Sequence, residues 1–355
     1  GVTMMKNIYF LMLALLLLGM GGTAGAADKI PAPKKMPWQE IPFNTIEGVR
    51  TGSVENNKDK TGVTALLFNP GARGGIDISG GGPASRETPL LNPLTADTPV
   101  NALLLSGGSA FGLAASTGAM TYLREHNQGV DTGYAKVPIV CQSCIFDLSY
   151  GSNTAYPDAA LGYAACVKAE ANAPRSGNFG AGTGATVGKF ISMKQAMKGG
   201  LGFYAIQIGT LKIGAVVVVN AFGDIYDPET GAKLAGLKTP DRQEFLDGPA
   251  EFYKNVQPRN LFKGNTTIGA IVTNGDFSKA ELNKLASMTR GAYARCIKPV
   301  GTMIDGDSIY AFSCGKVKAD VNVTGTLAAE VMARAIATAV KSSQIPDAEF
   351  LPYCR

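Results

Sequence analysis

Thr266 opens a run of β-branched and small residues, Thr266 to Thr273, directly after Gly264-Asn265. A hydroxyl at the head of a strand is ordinary. Asp305-Gly306-Asp307 downstream changes its standing, because two carboxylates on a tight turn can orient a hydroxyl or an amine. The chain has one histidine, His126, which removes multi-histidine metal sites and leaves that residue as the sole candidate for a Ser-His-Asp triad. His126 ends an apolar helical segment, Ala110 to Glu125, where the helix dipole favours it, so it reads as structural.

Two glycine-rich stretches invite nucleotide or hydrolase readings and fail both. Gly180 to Ala185 fits the loose G-x-G-x-x-[GA] pattern, but loop sequence precedes it where a dinucleotide site needs a strand. Gly188-Lys189 resembles the end of a P-loop, with Thr183 in place of the first glycine and Phe190 in place of the hydroxyl residue. A loop presenting backbone N–H groups and Lys189 to an oxyanion is the reading retained. Gly107-Gly108-Ser109-Ala110-Phe111 fails the nucleophile-elbow pattern because Phe111 takes the last glycine position, and Ser109 reads as a helix N-cap.

The elements that must position these groups alternate between strand and helix. Strands are expected at Val63–Phe68, Ala102–Leu105, Val137–Val140, Phe203–Ile208, Ile213–Asn220, Thr266–Thr273 and Ser308–Phe312. Helices are expected from Ala110, over Asp158–Ala171, from the capping box Ser278–Glu281 to Cys296, and over Thr326–Val340. Gly71 to Pro99 reads as a long loop. The pattern is that of one α/β domain, 46–355, after a linker at 27–45.

Residues 1–26 read as a signal peptide: Lys6, an apolar run Ile8 to Met20, then Ala24-Gly25-Ala26. A periplasmic or secreted protein follows, with no membrane association after signal removal; no later apolar stretch reaches membrane length. The net charge of +5 is scattered and gives no nucleic-acid footprint. Six cysteines suit an oxidising compartment, Cys141, Cys144 and Cys166 before Thr266 and Cys296, Cys314 and Cys354 after it. A disulfide joining the two sides is one expectation, ordinary thiols the other. No metal or cofactor is expected.

Six ordered motifs resemble the DmpA-type and β-peptidyl aminopeptidases, N-terminal-nucleophile hydrolases that include the nylon-oligomer hydrolases. They are Gly107 to Leu113, Ile145 to Leu148, Gly180 to Ala185, Asn220, Asn265-Thr266-Thr267 and Asp305-Gly306-Asp307, spanning Glu47 to Phe312. The resemblance implies a four-layer αββα sandwich, a homo-oligomer, and autocleavage into 27–265 and 266–355. It implies Thr266 as nucleophile, Asn265 as donor of the cut carbonyl, and Lys189, Asn220, Asp305 and Asp307 around the reacting centre, with Ser109 and Phe146 lining the pocket. Phe146 stands where some members carry an oxyanion-stabilising tyrosine.

The chemistry so implied is self-consistent. Cleavage before Thr266 frees an α-amine of pKa about 7.7–8.0, a base for the Thr266 hydroxyl. Lys189 and the Asn220 amide would serve the oxyanion, and the two acids would hold Thr266 and Lys189. The expected substrate is a small peptide or other amide, cut through an acyl-enzyme. The rival expectations are an acyltransferase of the ornithine acetyltransferase type and a non-catalytic binding protein.

Overall fold

The computed structural model describes residues 36–257 and 264–355. The compact unit is Trp38–Arg355; the expected signal peptide 1–26 and residues 27–35 of the expected linker lie outside the described residues. The main strands are β1 Val49–Asn56, β2 Thr61–Ile78, β3 Val100–Ser106, β4 Val140–Cys144, β5 Gly200–Ile208, β6 Leu211–Asn220, β7 Thr266–Gly275 and β8 Ser308–Val317. The main helices are α1 Ala115–Glu125, α2 Ala159–Lys168, α3 Lys279–Cys296 and α4 Val321–Ser343.

The strands form one hydrogen-bonded path, β5-β6-β7-β8-β2-β3-β4, with β1 also on β2. β2 carries the path from one sheet to the other. Its first half pairs with β1 and β3, its second half with β8, and its register on β3 shifts between Leu67 and Ala72. The halves stack face to face because alternate side chains along each strand are apolar on both sides. Val216 and Val218 of β6, Ile268 and Ala270 of β7, and Leu103 and Leu105 of β3 meet between the sheets. Val217 and Val219 point the other way, onto α3 and α4, through Leu282, Met332 and Ile336. Ala65, Leu67 and Leu104 pack outward on α1 and α2, through Ala119, Leu123 and Ala165. Three apolar layers between four structural ones make the αββα sandwich that the resemblance implied.

Several local expectations are corrected. Gly71 to Pro99 is not one loop: β2 runs on to Ile78, paired with β8. Its glycines misled, since an added Cβ on Gly75 would stand 2.4 Å from the Asn283 backbone nitrogen of α3, a close approach that requires glycine. The Val137–Val140 strand is interrupted at Pro138, and the sheet strand is Val140–Cys144. The end of the linker is docked, with Gln39–Glu40 paired to β5 and the Phe43 ring 5.1 Å from that of Phe203. Strand β1 was not foreseen. Helix α4 has the length and hydropathy of a membrane span, yet it is a core helix with 67% of its apolar window buried. Ser109 is not an N-cap: Gly108 holds that position, without a side-chain cap bond, and a 3-10 turn Ser109–Ala114 precedes α1. His126 caps the C-terminus of α1, its Nδ1 2.7 Å from Tyr122 O.

All six cysteines are free thiols. Cys141 and Cys144 are three positions apart on β4, so their side chains leave opposite faces of the sheet and cannot join. Burial pushes the thiols of Cys141, Cys144, Cys166, Cys296 and Cys314 up to about 12. Alkylation of denatured, unreduced protein should therefore label all 6 cysteines, and the native protein should react slowly. Mass spectrometry showing fewer labels would reveal a disulfide and contradict this fold.

Candidate active site

The site is built where two neighbouring central strands end. β6 and β7 pair antiparallel with Asn220 directly opposite Thr266. Asn220 continues the inward-facing series of Val216 and Val218, and Thr266 begins that of Ile268 and Ala270, so both side chains fall on the inter-sheet face. The parallel neighbour β8 brings the acidic turn alongside: Asn265 and Asp305 form a parallel bridge, and Ile268 pairs with Ser308. Strand topology alone thus converges three segments distant in sequence.

Hydrogen bonds fix the details. Lys189 is 4% exposed, and its Nζ donates to both Asn220 O, at 3.1 Å, and Asn220 Oδ1, at 3.0 Å. Asn220 Oδ1 also accepts from Thr186 N at 3.0 Å, and Asn220 Nδ2 donates to Phe146 O at 2.9 Å. Asp307 accepts from Thr267 N at 2.6 Å and Gly301 N at 2.8 Å. Asp305 accepts from the Thr302 hydroxyl at 2.5 Å and amide at 3.3 Å. Asp307 therefore grips the backbone beside Thr266, Asp305 braces the turn at Thr302, and both reach Lys189 through charge rather than by a direct bond. The Thr266 hydroxyl donates to Asn265 O, which also accepts from Gly306 N at 2.9 Å.

Most amides of the glycine-rich loop are spent within the fold rather than presented to an oxyanion. Gly180 N is spent on Glu55, Ala181 N on Thr64, Thr186 N on Asn220, and Lys189 N on Phe222 O. Its job is positional: it threads between sheet segments to deliver Lys189. The motif at Gly107-Gly108 also serves a carboxylate, for Asp147 accepts from Gly108 N and from the Thr61 hydroxyl, both at 2.7 Å. Neither that buried acid nor the Gly306 amide was singled out from the sequence. Glycine at 306 was a signal, because a Cβ there would stand 2.8 Å from the Thr266 hydroxyl.

Burial dominates the electrostatics. It lowers Lys189 to about 7, against the raising effect of Asp305, Asp147 and Asp307. It raises Asp305, opposed by the Thr302 bonds and Lys189. It raises Asp307, which the charge of Asp305 raises further. Asp147 is pushed up to about 6, again by burial. A lysine that gives up its proton more readily than usual, beside acids that hold theirs more tightly than usual, is a proton-exchanging cluster.

A cavity of about 400 Å3 opens beside this cluster. Phe146, Ile191 and Met193 supply apolar wall, and Lys189, Asn265 and Arg355 supply polar groups. Ser109 is outside that lining. So is Thr266, 4% exposed, with Gly264 and Asn265 between it and the space. The Phe146 ring lies on Gly264, where an added Cβ would meet it at 2.0 Å. Arg355, far from the motifs in sequence, gave no signal.

The profile of peptidase family S58 matches residues 44–346. The chain belongs to peptidase family S58. Within the family it is 36% identical over 308 residues to an uncharacterized aminopeptidase of Mycobacterium tuberculosis, covering 80% of this chain and 86% of that one. It is 31% identical over 345 residues to a 6-aminohexanoate-oligomer endohydrolase of Kocuria sp., covering 90% and 92%. The solved L-aminopeptidase D-Ala-esterase/amidase of Ochrobactrum anthropi, described as a variant of the Ntn hydrolase fold, superposes with a TM-score of 0.63 at 15% identity, covering 86% of this chain and 88% of that one. That likeness speaks to the fold, which is the Ntn-hydrolase fold. As a family S58 protein, the chain is a hydrolase of the aminopeptidase and amide-hydrolase group.

Lys189 gives a pH test. Between about pH 7 and pH 10 the unfolded chain keeps a lysine proton that the folded protein has released. Its contribution to stability therefore rises with pH across that window. Lys189→Met removes this slope, while Asn220 Oδ1 keeps its bond from Thr186 N. Urea unfolding of both proteins, each also carrying Thr266→Ala so that the bond before residue 266 is in the same state, should show the variant's relative advantage shrinking as pH rises. Parallel stability curves would mean that Lys189 titrates in the ordinary range.

Proposed function

We propose that this protein is a self-processing amide hydrolase that cuts its Asn265–Thr266 bond and then uses the freed N-terminal Thr266 as nucleophile. One observation carries the reading: the Asn265 carbonyl accepts from both the Thr266 hydroxyl and the Gly306 amide, beside the Lys189–Asn220 pair. The hydroxyl is thus already against the group it must attack, and a backbone donor is already on the oxygen that would become negative.

In the first step Thr266 Oγ attacks the Asn265 carbonyl carbon and loses its proton to a buried base, for which unprotonated Lys189 or ionised Asp307 is suited. The C–N bond breaks, the Thr266 nitrogen takes up a proton, and an ester links Asn265 to Thr266 Oγ. Water then hydrolyses the ester, leaving a carboxylate on Asn265 and a free hydroxyl and α-amine on Thr266. Withdrawal of Gly264 and Asn265 would open the cavity to the nucleophile. In each later turnover the α-amine takes the hydroxyl proton, Thr266 Oγ acylates, the leaving amine departs protonated, and water deacylates.

The substrate is an amide whose acyl part enters the space beside Phe146, Ile191 and Met193. The names of the relatives, aminopeptidase and 6-aminohexanoate-oligomer endohydrolase, bracket the class. Export belongs to the same proposal and rests on the signal-peptide pattern of residues 1–26.

N-terminal sequencing of the purified protein should find a chain beginning Thr266-Thr267-Ile268. Thr266→Ala should stay one chain and be inactive on amides. Persistent cutting at that bond together with activity in this variant would refute the assignment. Asp307→Ala and Lys189→Ala should each lower kcat/KM by about 10²-fold or more. Turnover at the parent rate in both would reduce the cluster to a structural role.

A further inference from the structure

Lys198 has no role in the chemistry above, yet it is buried as deeply as Lys189. It precedes β5, on a two-residue strand Met197–Lys198 that pairs antiparallel with Thr186–Val187 of the glycine-rich loop. Among the described residues it forms no ion pair with a carboxylate. Its Nζ donates instead to three carbonyls of that loop, Gly182 O at 3.3 Å, Thr183 O at 2.9 Å and Ala185 O at 2.7 Å. An ammonium has three hydrogens, one for each carbonyl. Burial draws its pKa down to about 7, with Lys60 adding to the fall and Asp147 opposing it; the three carbonyl bonds favour the charged form. A buried cation with no carboxylate against it is costly, so its charge invites a functional reading.

The bond to Ala185 O leads to the reacting centre in one step. The Ala185 carbonyl and the Thr186 N–H are the two ends of a single peptide group. At one end that group accepts from Lys198 Nζ, and at the other it donates to Asn220 Oδ1 at 3.0 Å. The same Asn220 Oδ1 receives Lys189 Nζ at 3.0 Å. A cation on the carbonyl polarises the peptide and makes its N–H a stronger donor, as hydrogen bonds in a chain do in a low-dielectric interior. This decides which end of the Asn220 amide turns toward Lys189: the oxygen faces the two donors, and Nδ2 is left to donate to Phe146 O at 2.9 Å. Ala185 O also accepts from Gly199 N at 2.9 Å, so the loop keeps a backbone anchor there when the lysine side chain is cut back. What Lys198 adds at that peptide is a charge.

We propose that Lys198 is a positioning residue for hydrolysis: through the peptide between Ala185 and Thr186 it holds the Asn220 side-chain amide, and with it Lys189, in the orientation the reaction needs. The inference rests on the reading of Asn220, Lys189 and Thr266 as the reacting centre. Lys198 touches none of the reacting atoms and acts through Asn220 alone. It also lines a cavity of about 470 Å3, together with Tyr150 and Thr183. Cutting the side chain back to alanine therefore opens the three carbonyls to that cavity, where a small cation from solvent can take the place of the lost ammonium.

The test is chemical rescue of Lys198→Ala in the full protein, with a thermal melt to show that the variant is folded. On an amide that the parent hydrolyses, kcat should fall about tenfold or more while KM changes by less than about threefold. Propylammonium, which replaces the atoms removed, should restore kcat saturably, by about threefold or more. Tetramethylammonium, a cation without an N–H, should restore nothing. The parent with the same amines corrects for attack of amine on an acyl-enzyme. Lys198→Met fills the space without a donor; it should be impaired with or without propylammonium, and it carries the test if Lys198→Ala does not fold. Parental kcat in either folded variant, no response of folded Lys198→Ala to propylammonium, or equal rescue by tetramethylammonium overturns the proposal. Asn220→Ala separates the two readings. If it is impaired while the Lys198 variants are not, this inference alone falls; if it turns over at the parental rate, the reading of the centre falls and this inference with it.

Discussion

Asn220 and Thr266 face one another because β6 and β7 pair residue for residue from Ile213–Thr273 to Asn220–Thr266. A slip of one residue would turn Thr266 from the inter-sheet face to the helix face and carry Val216, Val218, Ile268 and Ala270 with it. The apolar alternation that stacks the two sheets therefore also fixes where the hydroxyl points. Everything polar at the site is arranged around that pairing. Lys189 is tied to Asn220, Asp307 to the amide after Thr266, and Gly306 to the carbonyl before it.

The cost of such a site is burial of one lysine with three carboxylates, Asp147, Asp305 and Asp307. Burial works against charge of either sign, which lowers the lysine and raises the acids toward one another. Protons are then exchangeable near neutrality without any histidine. The protein tolerates the arrangement because each acid has at least two hydrogen-bond donors in rigid backbone or neighbouring side chains. Those donors lie on β2 and β7, in the turn at Gly301-Thr302 ahead of β8, and at Gly108. Cluster and sandwich are thus one construction.

Much of this was legible in residue pattern. The β-branched strand after Asn265, the valine run ending at Asn220 and the Ser278 capping box all carry strong local signals, and the structure places those elements within a few residues of expectation. The poorer readings share a cause. Gly71 to Ile78 looked like loop because its glycines are demanded by a helix packed against the strand, a tertiary fact that propensity does not hold. Ser109 looked like a cap because its residue type suits one, while the backbone there instead turns to meet Asp147. The glycine-rich loop looked like an anion cradle, but its amides are taken by β1, β2 and Asn220. Arg355 reaches the cavity through chain-end packing, for which no spacing rule exists.

The central claim is that one hydroxyl, that of Thr266, is the group that reacts. The most direct measurement is mass-spectrometric localisation of the acyl group after rapid acid quench of the enzyme with an activated ester or amide substrate. The account predicts an acyl adduct on the peptide that begins at Thr266, carried on its side-chain oxygen and lost as the substrate is consumed. An adduct on a different residue, such as Ser149 beside the cavity, or steady turnover with no adduct on Thr266 under conditions that trap esters, would contradict it.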